Sequence, residues 1–227
     1  MKPQQLILYG IGETAEIAYE YFTHDSDYEV VAFTVDKPYL DRESMCGLPV
    51  LPFEDIEQQF SPAHFKMFAA ATYNKLNRVR ARMYQNAKTK NYQMANYISS
   101  KAFVWHNVEM GDNVFIFEMN VVQHKVKIGN NVILWSGNHI GHQTVLEDHV
   151  YVSSHCIISG FCHIGAYSFL GVNSTFNDNI KLGKDNIVGS GALIVKNTEA
   201  AQLMMGAPAR PAAKTPYEAF NVTEEWV

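Results

Sequence analysis

The chain is short of positive charge. Lys and Arg number 18 against 23 Asp and Glu, for a net charge of −5. No basic block stands out, so the phosphate-neutralising surface that nucleic acids demand is not expected. Cysteine is also scarce: Cys46, Cys156 and Cys162 are an odd number without CxxC spacing. That argues against a disulfide framework or a structural zinc site and suits a reducing cytoplasm. No apolar run approaches the roughly 20 residues that span a bilayer. The opening "MKPQQLILYGIG" lacks the long apolar region and small-residue cleavage site of a signal peptide. A cytoplasmic protein is expected.

What is present falls into two patterns. With 227 residues, 47% of them hydrophobic, the chain can bury one large core or two modest ones. Up to about residue 95, "LILYG", "ETAEIAYEYF", "YEVVAFTVD", "FKMFAAA" and "NRVRARMYQNAKTK" alternate strand and helix. Glycines stand at the first strand-to-helix turn, and together these features predict a small βαβ-type parallel sheet.

Beyond residue 95 a six-residue frame takes over. Every sixth position from Val104 to Ile194 is large and apolar, without a break. Glycine often follows, as in Gly111, Gly129, Gly141, Gly165, Gly171, Gly183 and Gly189, where a sharp turn or a positive φ is expected. Four places after the large residue comes a mostly small one, among them Thr144, Cys156, Cys162, Ser168 and Ser174. Amphipathic hairpins would show period 2 with irregular turns. A sustained period of six instead predicts a parallel β-helix whose coil takes 18 residues, with Cys156 and Cys162 as core packing.

In such a coil, residues 18 apart stack about 4.8 Å from one another. One column then reads His106, His124, His142, Gly160, Asp178, Lys196. The histidines fit a polar ladder on an outer corner, a metal grip through neutral imidazoles, or a general base at His142 beside the side-chain-free Gly160. No three-ligand set with suitable local spacing accompanies the metal reading, so no metal is expected. In the catalytic reading, Gly160 leaves room for a slender substrate arm and exposes an N–H that can polarise a carbonyl.

From "LILYGIGETAE" to "MGAPAR" the chain resembles the two-domain nucleotide-sugar acyltransferases of the left-handed β-helix superfamily. That group includes bacillosamine-pathway N-acetyltransferases and sialic acid O-acetyltransferases. The resemblance implies an α/β, Rossmann-like parallel sheet over residues 1–95 that binds a nucleotide sugar. A left-handed parallel β-helix of hexapeptide repeats over 96–200 and a capping tail over 201–227 would follow. It also implies acetyl-CoA as co-substrate, a nucleotide-linked amino sugar as acceptor, and a homotrimer.

"IGHQTVLED" fits the family's His-containing turn, so His142 would be the base and the Gly160 amide would face the thioester carbonyl. Gln143 stands where relatives often carry a carboxylate, leaving Glu147 or Asp148 to orient the imidazole. "GIGET" replaces the usual "GxGGHG", with Gly10, Gly12, Glu13 and Thr14 expected at the sugar nucleotide. Asp36 and Lys37 after the second strand, and Tyr73 and Asn74 in "ATYNKLNR", are further substrate candidates. Tyr151, Val172 and Ser190 match positions along the pantetheine arm, and Ala207 and Pro208 of "MGAPAR" match the turn over the CoA nucleotide. N-acetylation is the implied activity. O-acetylation of a sugar, or a β-helical zinc hydratase or binding module, are the alternatives.

Overall fold

The computed structural model describes residues 4–226; residues 1–3 and 227, at the ends of the first and last expected segments, lie outside the described residues. The N-terminal half contains β1 (Gln4–Tyr9), α1 (Glu13–His24), β2 (Tyr28–Val35), β3 (Ser44–Met45), β4 (Leu48–Pro52), β5 (Lys66–Ala69), α2 (Arg78–Thr89) and β6 (Gln93–Met94). They form a sheet in the order β3-β4-β2-β1-β5-β6, parallel except for the β3–β4 pair. From Leu6 to Tyr9, β1 is apolar and buried because both of its faces are covered there. Leu6 and Leu8 pack with Ala15, Ala18 and Phe22 of α1, while Ile7 and Tyr9 pack with Met83, Tyr84 and Ala87 of α2. The chain passes from β1 to β2 on one side and returns to β5 on the other. Strand order therefore reverses at the carboxyl ends of β1 and β5, where such sheets open a crevice.

From Tyr97 onward the chain winds into a left-handed β-helix with three faces. The first runs from Tyr97–Ile98 through Phe115–Ile116 and Tyr151–Val152 to Ile187–Val188, and ends with Leu203–Met205 and Arg210–Pro211. The second runs from Phe103–Val104 to Leu193–Ile194, and the third from Glu109–Met110 to Lys181–Leu182. Successive coils pair in parallel at 18-residue offsets, as in Val121↔His139 and Val145↔His163. From Phe103–Val104 to Leu193–Ile194 the second residue of each two-residue strand points inward, so Ile116, Leu134, Val152, Leu170 and Val188 join one continuous core with Cys156 and Cys162. Both thiols are pushed above their ordinary pKa by burial. Leu203–Met205 extends the first face, so the last segment begins as β-helix before it becomes a tail.

The turns assign their glycines a different task from the one expected. From Met110 to Val188, positive φ falls three residues after each inward residue, at Asn113, Asn131, Gln143, His149, Phe161 and Tyr167 among others. Gly141, in the expected place, shows no positive φ; a Cβ there would lie 2.5 Å from Ser159 C and 2.6 Å from the Gly160 nitrogen. The glycine is required by close approach of the next coil. The left-handed positions are held mainly by other residues, each at a cost of roughly 1 kcal/mol.

Outward residues decide how the halves meet. On the first face they are Tyr97, Phe115, Ile133, Tyr151, Phe169 and Ile187, and all but Ile187 pack with the N-terminal sheet and α1. On the third they are Glu109, Lys127, Val145, His163 and Lys181, a solvated surface. Along the corner beside α2 runs a ladder of side chains 18 apart. Asn113 Nδ2 donates to Asn131 Oδ1 at 2.7 Å, and Asn113 Oδ1 accepts from the Ala69 amide at 2.8 Å. Asn131 Oδ1 also accepts from Arg80 Nε at 3.1 Å, leaving Asn131 Nδ2 to face His149 Nδ1 at 2.9 Å. With a donor pointing at it, Nδ1 must be unprotonated.

Burial pushes the His149 pKa down to about 4, assisted by the neighbouring Arg80 cation. Below the ordinary histidine value near 6.5 the unfolded chain binds a proton that the folded chain refuses until about pH 4. Stability is therefore expected to fall as pH drops through that window, by up to about 3 kcal/mol. Urea midpoints at pH 7.5 and 4.5 should differ less for His149→Gln than for the parent chain.

Candidate functional site

His142 ends the turn that leaves the second face. It follows Gly141 and precedes the left-handed Gln143, so the turn projects its imidazole along the coil axis onto the corner one coil below. A Cβ on Gly160 would lie 2.7 Å from its Cε1 and 2.8 Å from its Nε2; the ring sits in the space a side chain would fill. Phe161 flanks it edge-on, with ring centroids 4.8 Å apart. The His142 amide donates to Gln123 Oε1 at 3.0 Å. His106 and His124 are exposed above it, and His124 Nδ1 lies 3.2 Å from Asn107 Nδ2.

Two expectations about this corner change. Neither Glu147 nor Asp148 orients His142: Glu147 Oε1 meets His163 Nε2 at 2.6 Å, Glu147 Oε2 accepts from the Ala166 amide, and Asp148 accepts from Asn130. Both belong to the following corner, four and five residues past Gln143, where their direction is set by another turn. The second change concerns Gly160. Its amide donates to Asp178 Oδ1 at 2.8 Å, so the residue beneath it in the column holds the proposed carbonyl-polarising N–H. Among the described residues no group of three His, Cys, Asp or Glu side chains is placed to hold a metal.

Away from this corner, a concavity of about 760 Å³ opens at the carboxyl ends of β1, β2 and β5. Gly10, Gly12, Glu13, Thr14, Asp36, Tyr73 and Asn74 line it. Gly10 has φ +137°, and a Cβ there would collide with the Ala70 carbonyl, so both backbone and space require glycine. Asp36 accepts from the Tyr9 hydroxyl and lies 3.4 Å from Arg82 Nη2. Lys37 turns away, its ammonium 2.8 Å from Asp55 and its amide held by Glu54, and takes no part in the cleft wall.

Sequence reasoning missed Thr72, Lys75, Arg82, Trp135 and Trp226, which also line the cleft. Arg82 is one helical turn from Arg78 on α2 and could have been found by placing that helix against the second strand's end. Trp226 left no local signal.

The residues matched to a CoA arm are spread out. Tyr151 lies on the first face, edge-on to Tyr73 at 5.2 Å, and forms part of the cleft wall. Val172 and Ser190 are exposed at the corner between first and second faces, and Ala207–Pro208 turn the chain from Leu203–Met205 to Arg210–Pro211. His142 and Gly160 sit at the corner between second and third faces. Within one chain these groups occupy different edges of the prism.

Residues 125–160 match the family model "Bacterial transferase hexapeptide (six repeats)". The acetyltransferase domain of PglB from Neisseria gonorrhoeae FA1090 superposes with a TM-score of 0.83 at 25% identity, covering 92% of this chain and 100% of that one. The chain resembles hexapeptide-repeat transferases over residues 125–160 and an acetyltransferase domain over nearly its whole length. The Neisseria domain has also been solved with acetyl coenzyme A. Perosamine N-acetyltransferase from Caulobacter crescentus, solved with CoA and GDP-perosamine, shares the fold at 22% identity and a TM-score of 0.80, covering 92% of this chain and 97% of its own. WeeI from Acinetobacter baumannii AYE does so at 21% and 0.77, covering 91% and 99%.

The seat of the His142 ring can be tested directly. Gly160→Ala is expected to displace the imidazole, moving its NMR ring resonances while the other histidine signals keep their positions. The melting temperature should shift by only a few degrees, because the atoms an added methyl would meet belong to the half-buried His142 ring, which can swing aside, and Gly160 needs no positive φ.

Proposed function

We propose that this protein is an acetyl-CoA-dependent N-acetyltransferase acting on a nucleotide-linked amino sugar, with His142 as general base. The observation that carries the reading is the imidazole laid over a side-chain-free residue at an open corner. The ring fills the space above Gly160 and is half-buried, so the thioester is read as approaching its solvent side, with the Gly160 amide beneath. The crevice at the strand-order reversal supplies a second site of the right size and polarity for a sugar nucleotide. The reaction is direct. The sugar amine attacks the thioester carbonyl carbon while His142 takes its proton, the C–S bond breaks, and the CoA thiolate leaves with a proton returned to it. The Gly160 amide holds the carbonyl oxygen as charge builds there, once Asp178 has released it.

We further infer that the working form is a homotrimer. The cleft and the His142 corner lie on different edges of one chain, and none of His142, Gly160 or Phe161 borders the cleft. A neighbouring copy brings the two together. The second face and its flanking corners carry exposed Phe103, Trp105, Met119, Ile157 and Phe161, apolar surface of the kind that copies of a chain cover.

Purified enzyme should consume acetyl-CoA with a UDP-, dTDP- or GDP-linked 4-amino sugar and not with free or CMP-linked sialic acid. The opposite preference would replace the amine by a hydroxyl as nucleophile. His142→Ala is expected to lower kcat about 10²- to 10⁴-fold with little change in KM for acetyl-CoA; full activity would remove the base from the mechanism. Asp178→Ala frees the Gly160 amide and should lower KM for acetyl-CoA severalfold. A large loss of kcat would instead assign the carboxylate itself a part in the chemistry.

A further inference from the structure

The C-terminal segment returns to the cleft. Thr215 caps α3 (Pro216–Phe220) through a reciprocal bond pattern with Glu218. From there the chain crosses the start of α2, fixed at three points. Tyr217 donates to Asp185 Oδ2 at 2.9 Å, and Arg78 pairs with Asp185 Oδ1 at 2.5 Å, both members of that pair nearly free of solvent. Lys75 Nζ donates to the Asn221 carbonyl at 2.6 Å, and Arg78 Nε to the Trp226 carbonyl at 2.7 Å. The segment thus places an indole in the wall of the crevice, with the Arg82 guanidinium 5.5 Å from its ring centroid.

Charge makes this arrangement informative. A helix N-terminus in such a fold can hold phosphate by its dipole, but the first turn of α1 carries Glu13 and Glu16, which already answer that dipole. Glu13 and Asp36 both line the cleft, and its cations are Arg82 and Lys75. Lys75 is committed to the C-terminal segment, whereas Arg82 is held to Asp36 only at 3.4 Å and is half exposed. It can exchange that contact for a stronger one.

We propose that Trp226 and Arg82 form a clamp for the nucleotide half of the acceptor, the indole stacking on the base and the guanidinium pairing with the diphosphate. The clamp rests on the reading of the cleft as a sugar-nucleotide site. It makes the C-terminal segment an element of substrate specificity, independent of the acetyl donor.

Calorimetric titration of the full-length protein with UDP, GDP, dTDP and inorganic pyrophosphate tests it. Base stacking on an aromatic ring is worth about 1–3 kcal/mol. Trp226→Ala should therefore weaken the best-bound nucleoside diphosphate roughly tenfold or more, leave pyrophosphate unchanged, and keep the parent melting temperature. Trp226→Phe should recover binding to within about threefold, and Arg82→Gln should weaken both nucleotide and pyrophosphate. KM for acetyl-CoA should stay constant in all three. Equal or tighter nucleotide binding by Trp226→Ala overturns the clamp and leaves the function standing. Failure of the parent protein to bind any of the three nucleotides overturns the assignment of the cleft and the clamp with it.

Discussion

The stacking of identical coils at 18-residue intervals governs the molecule. Each coil buries a large apolar residue at every sixth position, and backbone hydrogen bonds such as Gly141 N to Ile158 O at 2.7 Å hold neighbouring coils in register. Nothing in this arrangement can slip by one residue without turning the inward column outward. Register therefore converts sequence distance into spatial order. A residue's neighbours above and below are those 18 positions away, and a chemical feature arises from what is stacked rather than from what is adjacent. His142 matters because position 160 has no side chain and position 178 is an acid.

The same rule mounts the N-terminal sheet. Aromatic residues on one face of the prism are useless to solvent and too flat to interdigitate with another coil, so they pack under α1, with Phe115 and Tyr97 meeting Phe22 at 5.8 and 5.5 Å. The corner beside that face then needs polar partners for backbone groups that the sheet covers. The Asn113–Asn131–His149 ladder supplies them, and Arg80 closes it. Arg80 is fully buried without a carboxylate, bonded to Asn131 Oδ1, to the Asn131 carbonyl at 2.9 Å and to the Val150 carbonyl at 3.4 Å. Burial lowers its pKa to about 10, which still leaves it charged at neutral pH. Desolvating a cation is costly, and the halves are consequently held in one orientation, since any shift strips it of its acceptors.

Periodic features could be read from the sequence, and single contacts could not. The hexads, the inward cysteines, both long helices and the His142–Gly160 stack follow from spacing alone, because spacing sets which way side chains face. The cleft residues Gly10, Gly12, Asp36 and Tyr73 follow from strand ends. Lys37 was misplaced for the same reason: proximity to a strand end does not fix a flexible side chain, and Asp55 captured it. Glu147 offers the parallel case, one corner too far along the coil to reach His142. The glycines that follow many of the inward residues were expected for a sharp turn or a positive φ and serve close approach between coils instead, a cause that leaves no separate mark in composition. The stacking of Asp178 on Gly160 follows from the same column, though not the hydrogen bond it makes; Trp226 was invisible because only the tertiary path of the chain brings it to the cleft.

The separation of the cleft from the His142 corner bears on how the proposed chemistry could occur. The proposed base lies at the corner between the second and third faces and the proposed acceptor crevice against the first face, on different edges of one prism. The core between them is filled by Ile140, Ile158 and Phe176, all without exposed surface, and gives no passage. A second prism laid along the second face would bury Phe103, Ile157 and Phe161. It would bring its own first-face edge, with Tyr151, Val172 and the cleft, up to His142 of its neighbour. In the proposed homotrimer, rotation about a threefold axis would cover the apolar second face and complete the divided site in every copy at once.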